Sequence, residues 1–188
     1  MKYLLSYKLF ENQESKTILD FPSTRQSNLD SCGISAVQSV GIYYGIDHPE
    51  DYFDNEDKEH NYFSKEDILN FFKKHKFKTE VKEDMSIDDL KKYIDKKIPV
   101  IVFIQAWSKK KVDYTKTNKE GHDLVVIGYD DKNLYFNDPS IGGNLGMMTQ
   151  SEFMKRWHDQ EEGKEMNQLG IAVYGTPKYD SKKIQKIK

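Results

Sequence analysis

The sequence predicts an α+β fold, with one helix in the first quarter of the chain packed on an antiparallel sheet made mainly from the second half. Three observations lead there. A helix-period stripe of small and apolar residues begins at Cys32. A run of β-formers over 99–104 carries apolar side chains on both faces, as a central strand does. Two further runs, 124–127 and 133–138, are joined by the turn signal DDKN at 130–133. At 188 residues the chain is expected to form one domain spanning 1–188, with 1–21 and 176–188 at its periphery.

The elements follow in order. Residues 1–21 read as a weak strand followed by loop, and 22–30 as polar and irregular. Cys32, Ser35, Ala36, Ser39 and Tyr43 then share one helical stripe, and Gly45 stands at the expected C-terminal cap. Small residues on that stripe let the helix approach a sheet closely. The acidic stretch 48–62 reads as loop. Ser64 and Ser86 each open an amphipathic helix, with a short strand over 78–82 between them. A Lys-rich loop covers 108–120. Thr149 and Glu152 form a capping box for a helix over 153–158, and 169–174 reads as a last strand before a frayed Lys-rich end.

Composition removes several classes of function. The 29 Lys+Arg against 31 Asp+Glu leave a net charge of -2, so no nucleic-acid partner is expected. One cysteine excludes a disulfide within the chain and a zinc site with two thiolates. The first ten residues lack the apolar core of a signal peptide, and the longest apolar run, 100–104, is strand-sized. No membrane span and a cytoplasmic location are therefore expected. The chain has no metal-ligand cluster, phosphate-binding glycine loop or cofactor fingerprint, so no cofactor or metal is expected.

Cys32 lies at a helix start, where unpaired N–H groups and the helix dipole favour a thiolate, and Gly33 leaves the sulfur approachable. A small buried core residue is the other reading of a lone cysteine. Among the five histidines, His48, His60, His75 and His158 sit in charged or helix-end surroundings and read as solvated. His122 stands at the mouth of an apolar strand. Counting back through the 130–133 turn puts it opposite 138–141, near Asp138. A carboxylate there would orient the imidazole, although Asp138-Pro139 also reads as a plain turn. Asp123 should point to the opposite face, and Asp130 should lie at the far end of the hairpin. Gln26 precedes Cys32 by six positions, and its amide could join the Cys32 N–H as an oxyanion donor; alone it reads as a surface glutamine.

These segments resemble a known family. RQSNLDSCGISA over 25–36, running on to Gly45, resembles the nucleophile block of bacterial papain-like cysteine peptidases. The likeness is to the bacteriocin-processing, double-glycine-leader peptidases of cysteine-peptidase family thirty-nine, particularly the stand-alone members. KIPVIV over 97–102 with QAW at 105–107 resembles the family's central strand. GHDLVVIGYD over 121–130 and YFNDPS over 135–140 resemble its histidine and aspartate blocks, and EFMKRWH over 152–158 the following helix. The resemblance implies a papain-like fold with Cys32 as nucleophile, His122 as base and acid, Asp138 as orienter and Gln26 in the oxyanion hole. Asp123 departs from the pattern, since relatives usually carry an aromatic or bulky residue there. Ser31, Ile34 and Ser35 also replace more typical neighbours of the cysteine. Such changes alter the cleft rather than remove a catalytic group.

The expected function is a cysteine peptidase that hydrolyses an amide bond of a peptide or protein substrate through an acyl-enzyme. An acyl or peptidyl transferase on the same triad and a catalytically silent peptide-binding module are the alternatives. A redox role fits poorly, because a lone cysteine has no resolving partner in the chain. The lysines at 109–111 and the acids within 50–59 read as solvated loops, with charge selection at the cleft as the other reading.

Overall fold

The computed structural model describes residues 16–28, 30–48, 51–54, 62–143 and 145–183. In chain order the elements are β1 (Thr17–Ile18), α1 (Cys32–Tyr43), α2 (Asp51–Asp54), α3 (Lys65–Lys74) and β2 (Lys78–Lys82). Then come α4 (Ile87–Asp95), β3 (Val100–Gln105), β4 (Gly121–Tyr129), β5 (Asn133–Asn137) and β6 (Leu145–Thr149). The last are α5 (Gln150–Arg156), β7 (His158–Glu161), β8 (Lys164–Asn167) and β9 (Gly170–Tyr174).

Local chemistry explains the helix boundaries. At the start of α3 the Ser64 hydroxyl accepts from Asp67 N, and the Asp67 carboxylate accepts from Ser64 N in return. Ser86 and Asp89 repeat this box at α4. At α5 only half of the expected box forms. Thr149 accepts from Glu152 N, but the Glu152 carboxylate pairs with Arg156 instead. Helix α1 differs in being buried around most of its circumference, from Gly33 through Tyr43. It ends where Gly45 adopts φ +86°, which an L side chain rarely tolerates.

The sheet has the order β2-β9-β3-β4-β5-β6, with β1 also paired to β4, and every pairing is antiparallel. Strand β3 lies at its centre, buried at all six positions, as its two apolar faces predict. Helix α1 packs on β4, and Phe136, Phe153 and Trp157 close the core beneath α5. The Trp157 indole donates to Leu169 O at 2.9 Å, so this buried ring carries no unmet donor.

Three features differ from the sequence reading. The 48–62 loop contains the short helix α2; its flanks at 49–50 and 55–61 lie outside the described residues, as do 1–15 and 184–188. Strand β6 and the β7–β8 hairpin were not expected, because their sequences LGMMT, HDQE and KEMN lack a clean apolar alternation. The outer segments are also more engaged than the word periphery suggests. Leu19 is buried beside β4, and the Lys178 and Tyr179 amides donate to Tyr43 O at the end of α1.

Candidate active site

The β4–β5 hairpin sets the site. Asp130 ties its turn together, accepting from Lys132 N, Asn133 N, Asn133 Nδ2 and the Tyr135 hydroxyl. These bonds, the Tyr135 bond foremost, hold its carboxyl well below the usual carboxylate range. A bulge between Val126 and Gly128 shifts the register by one, and Val125 then faces Asn137. Continued to the strand start, that register puts His122 across from 140. The result is direct contact: His122 Nε2 lies 2.8 Å from Asp138 Oδ1, with both side chains buried.

Asp138 is fully occupied. Its Oδ1 also accepts from Ser140 N at 2.9 Å, and its Oδ2 accepts from the Trp107 indole at 3.0 Å. A carboxylate held by three donors fixes the imidazole that faces it, and a proton on His122 Nε2 leaves Nδ1 as the free base. Trp107, two residues past β3, adopts φ +60° and is 58% exposed, so Asp138 is tied to a ring at the surface.

Gln26 lines the same cleft as His122, together with Trp107, Lys109, Lys110 and Ser140. Its backbone N–H donates to Pro139 O, and its Oε1 accepts from the Ser140 hydroxyl at 3.0 Å. One Nε2 hydrogen goes to Asn28 O, so the second has no partner among the described residues. The segment before α1 is thus tied to the segment after β5, and the glutamine is held at the cleft rather than loose on the surface.

Cys32 occupies the first position of α1, half-buried, and Ser31 precedes it without capping the helix. The Ser31 hydroxyl turns back to Asn28 O instead. The sulfur faces an adjoining pocket with Tyr62, Asp123, Asp159 and Glu161; Gly121 and Lys119 line both spaces. No hydrogen bond joins the Cys32 thiol to the His122 ring among the described residues. Burial first, and then the Asp123 carboxylate, push the thiol up to about 12. The amides of Asp123, Gly33 and Cys32 act in the opposite direction. The helix-start donors anticipated from sequence are therefore present but outweighed.

Asp123 points away from His122, as strand alternation requires, and comes to lie against α1. A Cβ on Gly33 would stand 2.7 Å from Asp123 Oδ2, so only glycine permits this approach. The hairpin thus joins His122 to Asp138 and brings Gln26 beside them, while Cys32 sits in the neighbouring pocket with Asp123. Sequence reasoning missed Trp107, Ser140 and the Asp123 contact; Trp107 at the end of a central strand was the one available signal. It also misjudged three histidines. His158 bridges Asn118 Oδ1 and Tyr114 O in the 108–120 loop, and His48 stacks on Tyr52 near His75. His60 lies outside the described residues.

No helix among the described residues is long and apolar enough to cross a membrane. Comparison with solved structures finds the peptidase domain of Streptococcus ComA, described as a bi-functional ABC transporter involved in a quorum-sensing pathway. It is 22% identical, with a TM-score of 0.59 over 81% of this chain and 97% of that one. A C39-like protein from Bacillus anthracis is 17% identical, with a TM-score of 0.63 over 87% and 100%. A double glycine motif protease from an AMS/PCAT transporter, in complex with its leader peptide, is 18% identical, with a TM-score of 0.58 over 85% and 94%. These likenesses show a shared papain-like fold. A search of curated proteins finds no match. The sequence pattern of the Peptidase_C39 like family matches residues 18–164, most of the chain and every block quoted above. The chain belongs to the C39-like peptidase family.

Proposed function

We propose that this protein is a cysteine peptidase that cleaves a peptide bond through an acyl-enzyme on Cys32. The observation that carries the reading is the buried His122–Asp138 pair at 2.8 Å, which leaves Nδ1 of the imidazole as the base. His122 takes the Cys32 proton as the sulfur attacks the substrate carbonyl carbon. The resulting oxyanion is met by the unpaired Gln26 Nε2 hydrogen and the Cys32 N–H. His122 then returns the proton to the leaving amine, the C–N bond breaks, and water attacks the thioester by the same route in reverse. A thiol pushed up to about 12 is protonated at rest, so this mechanism depends on the imidazole at the moment of attack. Substrate binding must therefore bring Cys32 and His122 into contact.

The missing thiol–imidazole bond favours one second reading, a domain that holds a peptide in the same cleft without cutting it. Peptides from a digested proteome, incubated with wild type, Cys32→Ala and His122→Ala, separate the two. New cleavage ends are expected with wild type alone, while both variants keep the wild-type circular dichroism spectrum. Peptide retention without cleavage in all three proteins would support the binding module.

A further inference from the structure

The pocket beside the nucleophile has a chemistry that hydrolysis does not use. It has a volume of about 230 Å³, below the ~300–1,000 Å³ of sites for whole small ligands and suited to one side chain. Asp123, Asp159 and Glu161 line it together with Cys32, Tyr62 and Lys119. Asp159 and Glu161 are partly engaged. Asp159 Oδ1 accepts from Gln105 Nε2 at 2.9 Å and from Gln160 N at 2.8 Å, and Glu161 Oε1 accepts from Lys65 N at 2.8 Å.

Asp123 is the exception. It is 8% exposed, opens onto this pocket, and its carboxyl has no hydrogen-bond donor and no cation among the described residues. A buried carboxyl with neither is costly unless something arrives to satisfy it. Burial, then Asp159 and Glu161, hold it well above the usual carboxylate range, and Asp159 is raised as well. A positive group entering the pocket would favour the ionised form of both carboxyls. A metal ion is the wrong cation, because no three His, Cys, Asp or Glu among the described residues are arranged to hold one.

We propose that this pocket is a specificity subsite for a lysine or arginine side chain of the substrate, with Asp123 as its determining residue. The cation pairs with Asp123 at the base of the pocket, and Asp159 and Glu161 contribute the field around it. The neighbouring cleft has the opposite character, since Lys109, Lys110 and Lys119 line it against one carboxylate, Glu120. A basic residue is therefore drawn to the Asp123 pocket and repelled from the Gln26 cleft, which fixes the direction in which a peptide lies across Cys32. The shared wall residue Lys119 limits the preference without reversing it, being one cation against three carboxyls.

This inference rests on the peptidase reading only for its meaning to catalysis, and the test keeps the two apart. In the first arm, Cys32 of the whole protein is modified by cationic trimethylammonioethyl and anionic sulfonatoethyl methanethiosulfonates, read by intact mass. The thiolate displaces a sulfinate and forms a disulfide, and the single cysteine gives every adduct one address. Relative to free cysteine, the cationic reagent is expected to gain roughly tenfold or more over the anionic one. Asp123→Asn should collapse that ratio toward one and Asp159→Asn should reduce it, whereas a purely structural role would slow both reagents alike. An unchanged ratio in Asp123→Asn, or faster anionic labelling of wild type, overturns the subsite.

In the second arm, peptide pairs differing only by Lys or norleucine at one position are offered to wild type and to Asp123→Asn. A preference of about ten- to hundredfold in kcat/KM for Lys at one position, lost in the variant, is expected. Cleavage without any basic preference rejects the subsite and leaves the peptidase standing. No cleavage at all, with the cationic labelling preference intact, rejects the peptidase and leaves the subsite standing.

Discussion

Two residues of the site carry opposite consequences for stability and rate. Gln26 is held by Ser140 and by Pro139 O, so replacing its side chain leaves the backbone tie in place. Gln26→Ala is expected to lower kcat by about a hundredfold with little change in KM, as the proposed oxyanion role requires. Steady-state kinetics on a cleaved peptide check this, and a change confined to KM would remove Gln26 from the oxyanion hole. Asp123 works against the fold. A carboxyl raised by burial leaves stability intact below its unfolded value, about pH 4, and withdraws it as pH rises through the folded value. Thermal melts of wild type and Asp123→Asn should therefore coincide near that pH, with the variant more stable by about 1–3 kcal/mol at pH 8. Melts that coincide at both ends would mean Asp123 is satisfied. The pairing of His122 with Asp138 was legible from sequence, since it follows from counting through one short turn. The Asp123–Cys32 approach was not, because it depends on how closely α1 settles on β4 across ninety intervening positions that local patterns do not connect.

At the scale of elements, the hairpin that carries His122 is held by its turn. Asp130 accepts four hydrogen bonds at the far end from the His122–Asp138 pair, and its lowered carboxyl makes them charge-assisted. Asp130→Ala is expected to cost about 1.5–3 kcal/mol at neutral pH, measured by urea unfolding. The sign with pH is opposite to that of Asp123. Stability from a depressed carboxyl is present above the unfolded value and lost as pH falls through the folded one, so the gap between wild type and variant should narrow in acid. A gap independent of pH would assign the loss to packing. The boundaries of α3, α4 and α1 were readable because a serine, a carboxylate three residues on, or a glycine at positive φ decides them locally. The β7–β8 hairpin escaped because its residues are mostly polar and form a separate two-stranded sheet. It nonetheless supplies Asp159 and Glu161 to the pocket that Cys32 lines.

Across the whole molecule, the antiparallel sheet brings four blocks from distant parts of the chain to one edge of α1. Residues before the helix meet residues after β5, and the end of β3 meets the start of β4 beneath Trp107. The α+β architecture was legible because β3 and β4 are apolar enough to admit one interpretation. The division of the site into two adjoining spaces was not, since it arises from alternate side chains of one strand facing different neighbours. That division makes one measurement decisive for the central claim, the dependence of Cys32 reactivity on His122. Iodoacetamide labelling of the single cysteine, followed by intact mass across pH, should be compared in wild type and His122→Ala. Burial first, and then the Asp123 carboxylate, push this thiol up to about 12, so an unassisted cysteine is nearly inert at pH 7. Wild type is expected to react at pH 7, with the rate falling at least about tenfold in His122→Ala. Superimposable profiles in the two proteins would contradict it, and would mean that Cys32 and His122 never act as a pair.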